Sequence, residues 1–576
     1  MKTKKDKPLY NVKSGQEITG SEALVLSLLE EGVDRIFGYP GGAIMPVYDA
    51  LYDYLDKIEH ILVRHEQGAA HAAESYAKIL GKPGVALVTS GPGATNLITG
   101  LANAMIDSTA MVCISGQVPS GLLGTDAFQE TDVIGITMPV TKWNYQITHP
   151  WEIPGVMAKA FYIASTGRPG PVMIDITKDA QFGKLKWHYE KCTKIRSYFP
   201  SPKVQPEKID EAAKLINAAK KPLLIAGQGI LISNAQQELE TLVTKADIPV
   251  TTTLLGLSAF PSDHPLYVGM PGMHGNMAPN IKTNECDLLI AVGMRFDDRI
   301  TGKLEEYAPQ AKIIHFEIDP SEIGKNVPID VPIIGDAKEA LSLLIPKVKK
   351  TSHKEWITSF HKEYENEYDK VIRPARHSDQ GEIRMDEVVH LISEKSEGKA
   401  IVVTDVGQHQ MVTARNYRFK TSRSWVTSGG LGTMGFGLPA AVGAKVARPD
   451  REVIAFIGDG GFQMTIQELG TIAQSNLPVK IVVLNNSFLG MVRQWQDMFF
   501  DKRYSFTELV NPDFITIASG YGIRGRFVSD RKDLESAIDD LIKSKDAFIL
   551  EVKVMKEQNV FPMVPSGESV SNMRIE

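Results

Sequence analysis

The sequence predicts an α/β fold built from three doubly wound parallel-sheet domains, and three observations carry that expectation. Short apolar, β-branched runs alternate with stretches of helical periodicity along most of the chain, the pattern of buried parallel strands and their crossover helices. The runs fall into three series, parted by charged and polar segments at 184–205 and 348–380. The first and third series also share a layout: Val85-Ala86-Leu87-Val88-Thr89-Ser90-Gly91-Pro92-Gly93 leads through a helical stretch to a strand at 111–115, just as 453–461 leads to 481–485.

In chain order, the first series (15–183) opens with a helix at 21–31 and places strands at 85–89, 111–115 and 172–176. It carries a buried-looking acid, Glu66, at the end of Ile61-Leu62-Val63-Arg64-His65. The second series (206–347) has strands at 222–226, 287–292 and 312–317. The third (381–556) has strands at 400–403, 424–427, 453–457 and 481–484, with helical periodicity through Ile466, Leu469, Ile472 and Ala473 between the last two. A length of 576 residues also suggests about three domains.

A hydrophobic share of 43% and a charged share of 23% are those of an ordinary globular enzyme. The net charge of -6 offers no basic stripe for nucleic acid or a membrane surface. Cys113, Cys192 and Cys286 form no closely spaced metal or redox pair, which points to a reducing compartment. Lys2, Lys4, Lys5 and Lys7 precede no apolar core, and no run of about 18 apolar residues occurs, so neither a signal peptide nor a membrane span is expected. The expected location is the cytoplasm.

The stretch richest in chemistry is Ile457-Gly458-Asp459-Gly460, followed after 24 intervening residues by Asn485-Asn486. An acid and an amide would emerge side by side at the ends of neighbouring strands, where open α/β sheets bind ligands. Mg²⁺ takes hard oxygen ligands and completes its octahedron with phosphate oxygens. Gly458, Gly460 and Gly461 would let backbone approach a phosphate. Each half alone is also an ordinary turn; jointly they read as a metal and diphosphate site.

Gly430-Leu431-Gly432-Thr433-Met434-Gly435 matches G-x-G-x-x-G and opens a helix through Leu438 and Ala441, which alone suggests a dinucleotide fold. A true fingerprint needs an acid about 20 residues on that meets a ribose. Asp459 lies in that region, but between glycines and paired with Asn486.

Gly458-Asp459-Gly460 through Asn485-Asn486 resembles the thiamine diphosphate motif. Further stretches narrow the resemblance, over almost the whole chain, to the flavin-containing biosynthetic acetohydroxyacid synthase family. They are Phe37-Gly38-Tyr39-Pro40-Gly41-Gly42-Ala43, Arg64-His65-Glu66, Ser90-Gly91-Pro92-Gly93-Ala94-Thr95-Asn96, Ala127-Phe128-Gln129-Glu130-Thr131, Gly272-Met273-His274-Gly275, Arg295-Phe296-Asp297-Asp298-Arg299 and Gly490-Met491-Val492-Arg493-Gln494-Trp495-Gln496.

The resemblance implies pyrimidine-binding, FAD-binding and diphosphate-binding domains in that order. It implies decarboxylation of pyruvate on thiamine diphosphate and condensation of the two-carbon carbanion with a second pyruvate or with 2-ketobutyrate, giving 2-acetolactate or 2-aceto-2-hydroxybutyrate for branched-chain amino acid synthesis. Glu66 matches the acid that hydrogen-bonds the aminopyrimidine N1′; in an apolar setting its pKa would be raised. It reads equally as a helix N-terminal glutamate stabilised by the dipole. Met434 matches the wedge beneath the bent cofactor, and the Gly432 carbonyl the acceptor from its 4′ amino group. Tyr39, Gly41 and Gly42 belong to the same cofactor set. Gly407, Gln408 and His409 would join Gly458, Gly460 and Gly461 on the diphosphate, and Asp459, Asn486 and the Phe488 carbonyl would hold Mg²⁺.

Arg299 matches a clamp for the acceptor carboxylate, since a guanidinium grips carboxylate bidentately. Trp495 matches the residue that favours 2-ketobutyrate, and Met491, Gln129 and Lys178 line the same pocket. Each also has a plain reading: Arg299 in a surface pair with Asp297 or Asp298, Trp495 as core, Lys178 solvated. For a structural, non-redox FAD the matches are Gly227, Gln228 and Gly229, with Arg168, Thr253, Leu254, Met273, His274, Arg295, Asp297, Glu317, Ile318, Asp336 and Ala337. The tail Pro565-Ser566-Gly567-Glu568-Ser569-Val570 departs from the family's usual end, which puts closure over the site in doubt. The family places its cofactor between subunits, so a homodimer or homotetramer is implied, while a small regulatory subunit is left open. The rival readings are another thiamine-dependent 2-keto acid decarboxylase or oxidase, and a catalytically silent flavin- or nicotinamide-binding protein.

Overall fold

The computed structural model describes residues 10–378 and 380–576, so Lys2, Lys4, Lys5 and Lys7 lie outside the described residues. Three parallel sheets form where the apolar runs predict them. The first comprises Arg35–Gly38 (β1), Glu59–Leu62 (β2), Gly84–Val88 (β3), Met111–Gln117 (β4), Trp143–Ile147 (β5) and Pro171–Thr177 (β6), ordered β2-β1-β3-β4-β6-β5. The second comprises Pro222–Ala226 (β7), Val250–Thr252 (β8), Leu288–Val292 (β9), Lys312–Glu317 (β10) and Val331–Ile334 (β11), ordered β8-β7-β9-β10-β11. The third comprises Ile401–Thr404 (β12), Trp425–Val426 (β13), Val453–Gly458 (β14), Lys480–Asn485 (β15), Arg524–Val528 (β16) and Phe548–Lys553 (β17), ordered β13-β12-β14-β15-β17-β16.

Numbered within its own sheet, each six-stranded sheet therefore runs 2-1-3-4-6-5. The shared layout of the first and third series is thus a shared topology. In both, strand order reverses beside the first strand, which opens a crevice at the carboxyl ends.

Burial explains why these runs become strands. In β7, Leu224 and Ala226 join one apolar cluster while Leu223 and Ile225 join another. Both faces of the sheet are covered, which is why its strands read as continuous apolar runs instead of alternating ones. Most expected strands appear within two residues of their bounds, but the run at 424–427 pairs only as the two-residue β13.

The helices that bear on the site are Glu66–Leu80 (α1), Ile98–Ile106 (α2), Gly437–Ala447 (α3), Asp459–Met464 (α4) and Gly490–Phe499 (α5). Helix α1 starts at an N-cap His65 whose Nδ1 accepts from the Gln67 amide at 3.1 Å, and ends at Gly81 with φ +70°. Its alanines leave a smooth face on which α3 lies so close that a Cβ on Gly443 would stand 2.0 Å from the Ala72 carbonyl oxygen.

Two expectations need correction. The helical period at 466–473 is not one helix, because α4 ends at Met464 and a 3₁₀ turn Ile466–Glu468 precedes the helix Leu469–Gln474. The supposed linker 348–380 contains the helix Lys354–Glu367, anchored by buried Trp356 and Phe360, with the Trp356 indole donating to the Pro222 carbonyl at 2.8 Å. The aromatic pair at i, i+4 outweighs the charged residues around it.

By compactness, described residues up to Pro200 form one unit with Gly430–Arg448 and Thr465–Leu477; the remainder forms a second. No helix among the described residues is long and apolar enough to cross a membrane.

Candidate active site

In the second unit, β14 and β15 are adjacent and parallel, with Gly458 opposite Leu484. The chain leaves their carboxyl ends as Asp459 and as Asn485-Asn486. Asp459 and Asn486 are 1% and 4% exposed, so this is an enclosed polar pair. Asn511 Nδ2 donates to Asp459 Oδ2 at 2.7 Å and to Asn485 Oδ1 at 2.9 Å. The two asparagines close consecutive turns: Ser487 N donates to Asn485 Oδ1 at 3.1 Å and Phe488 N to Asn486 Oδ1 at 3.2 Å. The plain turn reading is thus correct and compatible with the site, since a carbonyl-type oxygen keeps a second lone pair.

Gln408 sets the Asn486 amide. Its Oε1 accepts from Asn486 Nδ2 at 3.4 Å, while its Nε2 donates to Gln494 Oε1 at 3.0 Å and to the Gln558 carbonyl at 2.7 Å. His409 packs beneath Gly458, where a Cβ would stand 2.8 Å from His409 Nδ1; a Cβ on Gly461 would stand 2.4 Å from Asp405 Oδ1. Glycine is required at both by these close approaches.

These residues fit a cation and a diphosphate. Burial pushes the Asp459 carboxyl up to about 6, and its hydrogen-bond donors are the Asn511 amide and backbone N–H groups, with no cationic side chain among them. A divalent ion is the group that would reverse that cost. Among the described residues no cluster of three His, Cys, Asp or Glu side chains could hold a metal. That suits an ion whose shell is filled by one carboxylate, amide and backbone oxygens and a ligand's phosphates. Burial holds the fully enclosed His409 down to about 3, and its Nε2 is a buried atom with no hydrogen-bond partner. A phosphate oxygen would supply both partner and counter-charge.

On α5, which begins four residues after Asn486, Met491 and Trp495 are partly buried, and Trp495 meets Phe499 at 5.1 Å between ring centroids. Trp495 is therefore not core. Arg299 sits on the short helix Asp298–Thr301, 61% exposed, with Asp298 at 3.4 Å and Met273 Sδ at 3.6 Å. The surface-pair reading is accurate, and such a pair contributes only about 0–1 kcal/mol, which leaves the guanidinium available to a carboxylate. The tail packs against this region. Val564 N donates to the Met273 carbonyl at 2.8 Å and Lys303 N to the Glu568 carbonyl at 3.0 Å, so 564–570 walls the cleft at Arg299.

The flavin matches divide. Gly227 and Gly229 lie against Gly293, where added Cβ atoms would stand 2.2 and 2.5 Å from its backbone, so turn packing already demands glycine there. Thr253 Oγ1 accepts from Gly256 N at 3.1 Å and Asp336 from Glu339 N at 3.0 Å, the latter capping the helix that opens at Ala337. Glu317 Oε1 accepts from the Ile318 and Asp319 amides at 2.9 and 3.0 Å, and Arg295 reaches Asp297 at 3.8 Å. Leu254 follows Thr253 in a 3₁₀ turn, and Gln228 precedes the four-residue helix begun by Gly229 without a capping hydrogen bond from its side chain. The observation that favours a ligand is His274, which is buried with Nδ1 unpartnered.

In the first unit, Glu66 heads α1 and is half-buried, not buried as its sequence setting suggests. Asn96 Nδ2 donates to its Oε2 at 2.9 Å. Gly41 lies against Thr89, Gly42 is open, and Tyr39 is exposed. Gln129 is exposed with φ +62°, Lys178 is partly buried at the start of a helix after β6, and Arg168 Nε donates to Ser108 Oγ at 2.8 Å. Gly432 takes φ +70° and Met434 is partly buried. Sequence reasoning missed the orienting roles of Asn511, Asn96 and Gln494; a lone amide in a loop carries no spacing signal.

Three family models match the chain: the thiamine pyrophosphate enzyme N-terminal TPP binding domain over 18–136, the central domain over 209–344 and the C-terminal TPP binding domain over 405–552. The acetolactate synthase large subunit of Corynebacterium glutamicum is 45% identical, covering 97% of this chain and 90% of its own length. The acetolactate synthase isozyme 2 large subunit of Escherichia coli is 45% identical over 96% of this chain and 99% of its own. The probable acetolactate synthase large subunit of Methanocaldococcus jannaschii is 46% identical over 96% and 95%. At that identity over nearly the full length of both partners, the chain belongs to the acetolactate synthase large-subunit family of thiamine diphosphate enzymes.

Proposed function

We propose that this chain is the catalytic subunit that makes 2-acetolactate from two pyruvates and 2-aceto-2-hydroxybutyrate from pyruvate and 2-ketobutyrate, with thiamine diphosphate, Mg²⁺ and a non-redox FAD. The observation that carries the reading is the enclosed Asp459–Asn486 pair at adjoining strand ends in a chain of this family. Bound thiamine diphosphate supplies a thiazolium ring, the electron sink that loss of CO₂ from a 2-keto acid requires.

The chain's own residues do the rest. Asp459, Asn486 and the Phe488 carbonyl hold the cation, and Gly407, Gln408, His409, Gly458, Gly460 and Gly461 hold the diphosphate. Glu66, oriented by Asn96, holds a proton at the pyrimidine N1′. Met434 and the Gly432 carbonyl would contact the cofactor, with Tyr39, Gly41 and Gly42. Arg299 grips the acceptor carboxylate, and Trp495, Met491, Gln129 and Lys178 shape its pocket and exclude water, which favours carbon–carbon bond formation over protonation. FAD would be held by Gly227, Gln228, Gly229, Thr253, Leu254, Met273, His274, Arg295, Asp297, Glu317, Ile318, Asp336, Ala337 and Arg168. The working form is a homodimer or larger, with domains at 15–183, 206–347 and 381–556.

The test is product analysis from pyruvate with thiamine diphosphate, Mg²⁺ and FAD supplied. Acetolactate is expected, with acetohydroxybutyrate when 2-ketobutyrate is added. Acetaldehyde or peroxide as the main product would identify a decarboxylase or oxidase instead, and no turnover a silent binding protein.

A further inference from the structure

We infer that the buried ion cluster Lys78–Glu74–Asp107 is a positioning device that shapes the glycine-rich loop 430–436 for cofactor. This inference rests on the thiamine reading above and assigns it residues outside the cofactor cradle.

Gly430, Leu431 and Gly432 are exposed, and Gly432 and Gly435 take φ +70° and +85°. Thr465 Oγ1 donates to the Gly435 carbonyl at 2.9 Å, and the start of the loop is held from α1 and α2. Gly430 N donates to Asp107 Oδ1 at 2.7 Å, and Thr433 Oγ1 donates to Asn103 Oδ1 at 3.1 Å. Phe436, which closes the loop, is buried edge-on to His71 at 5.2 Å, with Lys78 Nζ 5.5 Å from its ring centroid.

Lys78 governs both attachments. Its Nζ lies 2.8 Å from Asp107 Oδ2 and 2.9 Å from Glu74 Oε1. Each carboxylate thus gives one oxygen to the lysine and turns the other toward the loop: Asp107 directly to Gly430, and Glu74 through Asn103, whose Nδ2 donates to Glu74 Oε2 at 2.8 Å. Glu74, Asn103 and Asp107 are all buried. Burial opposes the charge on Lys78, and the two carboxylates outweigh it, so the cation persists.

Enclosed ion clusters are a poor means of stabilising a fold, since packed apolar side chains of equal volume do as well or better. What an apolar set cannot do is accept from the Gly430 amide and the Thr433 hydroxyl. The cluster therefore fixes geometry. It also ties that loop to α1, the helix headed by Glu66, so one rigid mount carries both the wedge loop and the base.

The test compares Lys78→Met, Lys78→Arg and Thr433→Val with the wild-type chain, each with Mg²⁺ and FAD present. It reads thiamine diphosphate Kd by tryptophan quenching, KM and kcat for pyruvate, and FAD content. Lys78→Met is expected to weaken cofactor binding about tenfold or more and lower kcat, with KM and FAD content kept. Lys78→Arg keeps the charge in a bulkier group and should recover part of the binding that Lys78→Met loses. Thr433→Val, which removes one loop hydrogen bond and no charge, should weaken binding about three- to fivefold without changing the melting temperature. Unchanged Kd in Thr433→Val overturns the inference, even where Lys78→Met fails to fold. So does a loss in Lys78→Met that arginine does nothing to repair. A wild-type chain that binds no thiamine diphosphate defeats the underlying reading and this inference with it; a binding wild type with equally tight variants defeats this inference alone.

Discussion

The first and third sheets share one strand order, and different residue types are divided between their strand ends. After the third strand of each, the first sheet continues into Thr89-Ser90-Gly91, where Thr89 packs on Gly41, and the third sheet into Asp459. After the fourth, the first ends at Gln117 and the third at Asn485-Asn486. After the second, the first turns through Glu66 into α1, and the third through the glycine loop into α3. One scaffold presents Glu66 at a helix start beside Asn96, the other Asp459 and Asn485-Asn486 at adjoining strand ends. Topology fixes where ligands sit, and the few residues at the strand ends fix what they do there.

That division gives the two acids different signatures. Asp459→Ala should cost thiamine diphosphate binding and turnover together, the latter by about 10³-fold or more, because charge stabilisation in an enclosed site is lost outright. Glu66→Gln should cost about 10²–10⁴-fold in kcat, the range for one positioned proton-transfer group, while cofactor and FAD remain bound. Steady-state kinetics beside equilibrium dialysis separates them; two variants with the same profile would erase the contrast.

Gly458→Ala sharpens the same comparison at lower amplitude. Its Cβ would meet His409 Nδ1 at 2.8 Å, so cofactor affinity should fall by about tenfold with pyruvate KM kept. Trp495→Leu should shift the 2-ketobutyrate to pyruvate acceptor ratio by about tenfold, the worth of a methylene contact, as read by competition between the two acceptors. A ratio that stays put removes Trp495 from the acceptor pocket.

The smallest effect on activity comes from the last strands, each of which encloses an acid: Asp175 on β6 and Glu551 on β17. Burial pushes Asp175 up to about 6 from 3.8 although Ser115, Gln117 and Gln146 all donate to it. The folded state then holds a proton the unfolded chain has released. That contribution is complete below about 4 and is lost as pH rises to about 6, at most about 3 kcal/mol. Asp175→Asn should therefore flatten the fall in melting temperature across that window relative to wild type; parallel curves would deny the buried acid its proton.

Much of this was legible in the sequence because it is periodic or local. The strand Pro222–Ala226 is an uninterrupted apolar run, Lys312–Glu317 is built on Ile313, Ile314 and Phe316, and both appear at their expected bounds. Asp459 and Asn486 stand at fixed offsets from two such runs. What sequence hides is tertiary. The helix Lys354–Glu367 is polar on average and is held by Trp356 and Phe360, and the Trp356 indole finds its acceptor at Pro222, 134 residues back in the chain. Asn96 donates to Glu66, and Asp107 and Asn103 accept from the glycine loop, none of them near in sequence to the group it meets. The fold class needs only patterns; the second layer around the site needs the fold.

The central claim is that a cation held by Asp459 and Asn486 tethers thiamine diphosphate. It is tested most directly by titrating thiamine diphosphate calorimetrically into cofactor-depleted wild type, Asp459→Ala and Asn486→Ala, with Mg²⁺ and with a chelator. The account predicts saturable binding by wild type that needs Mg²⁺ and is lost or weakened at least about 100-fold in both variants. Binding that is indifferent to the metal, or equally tight in the variants, would contradict it.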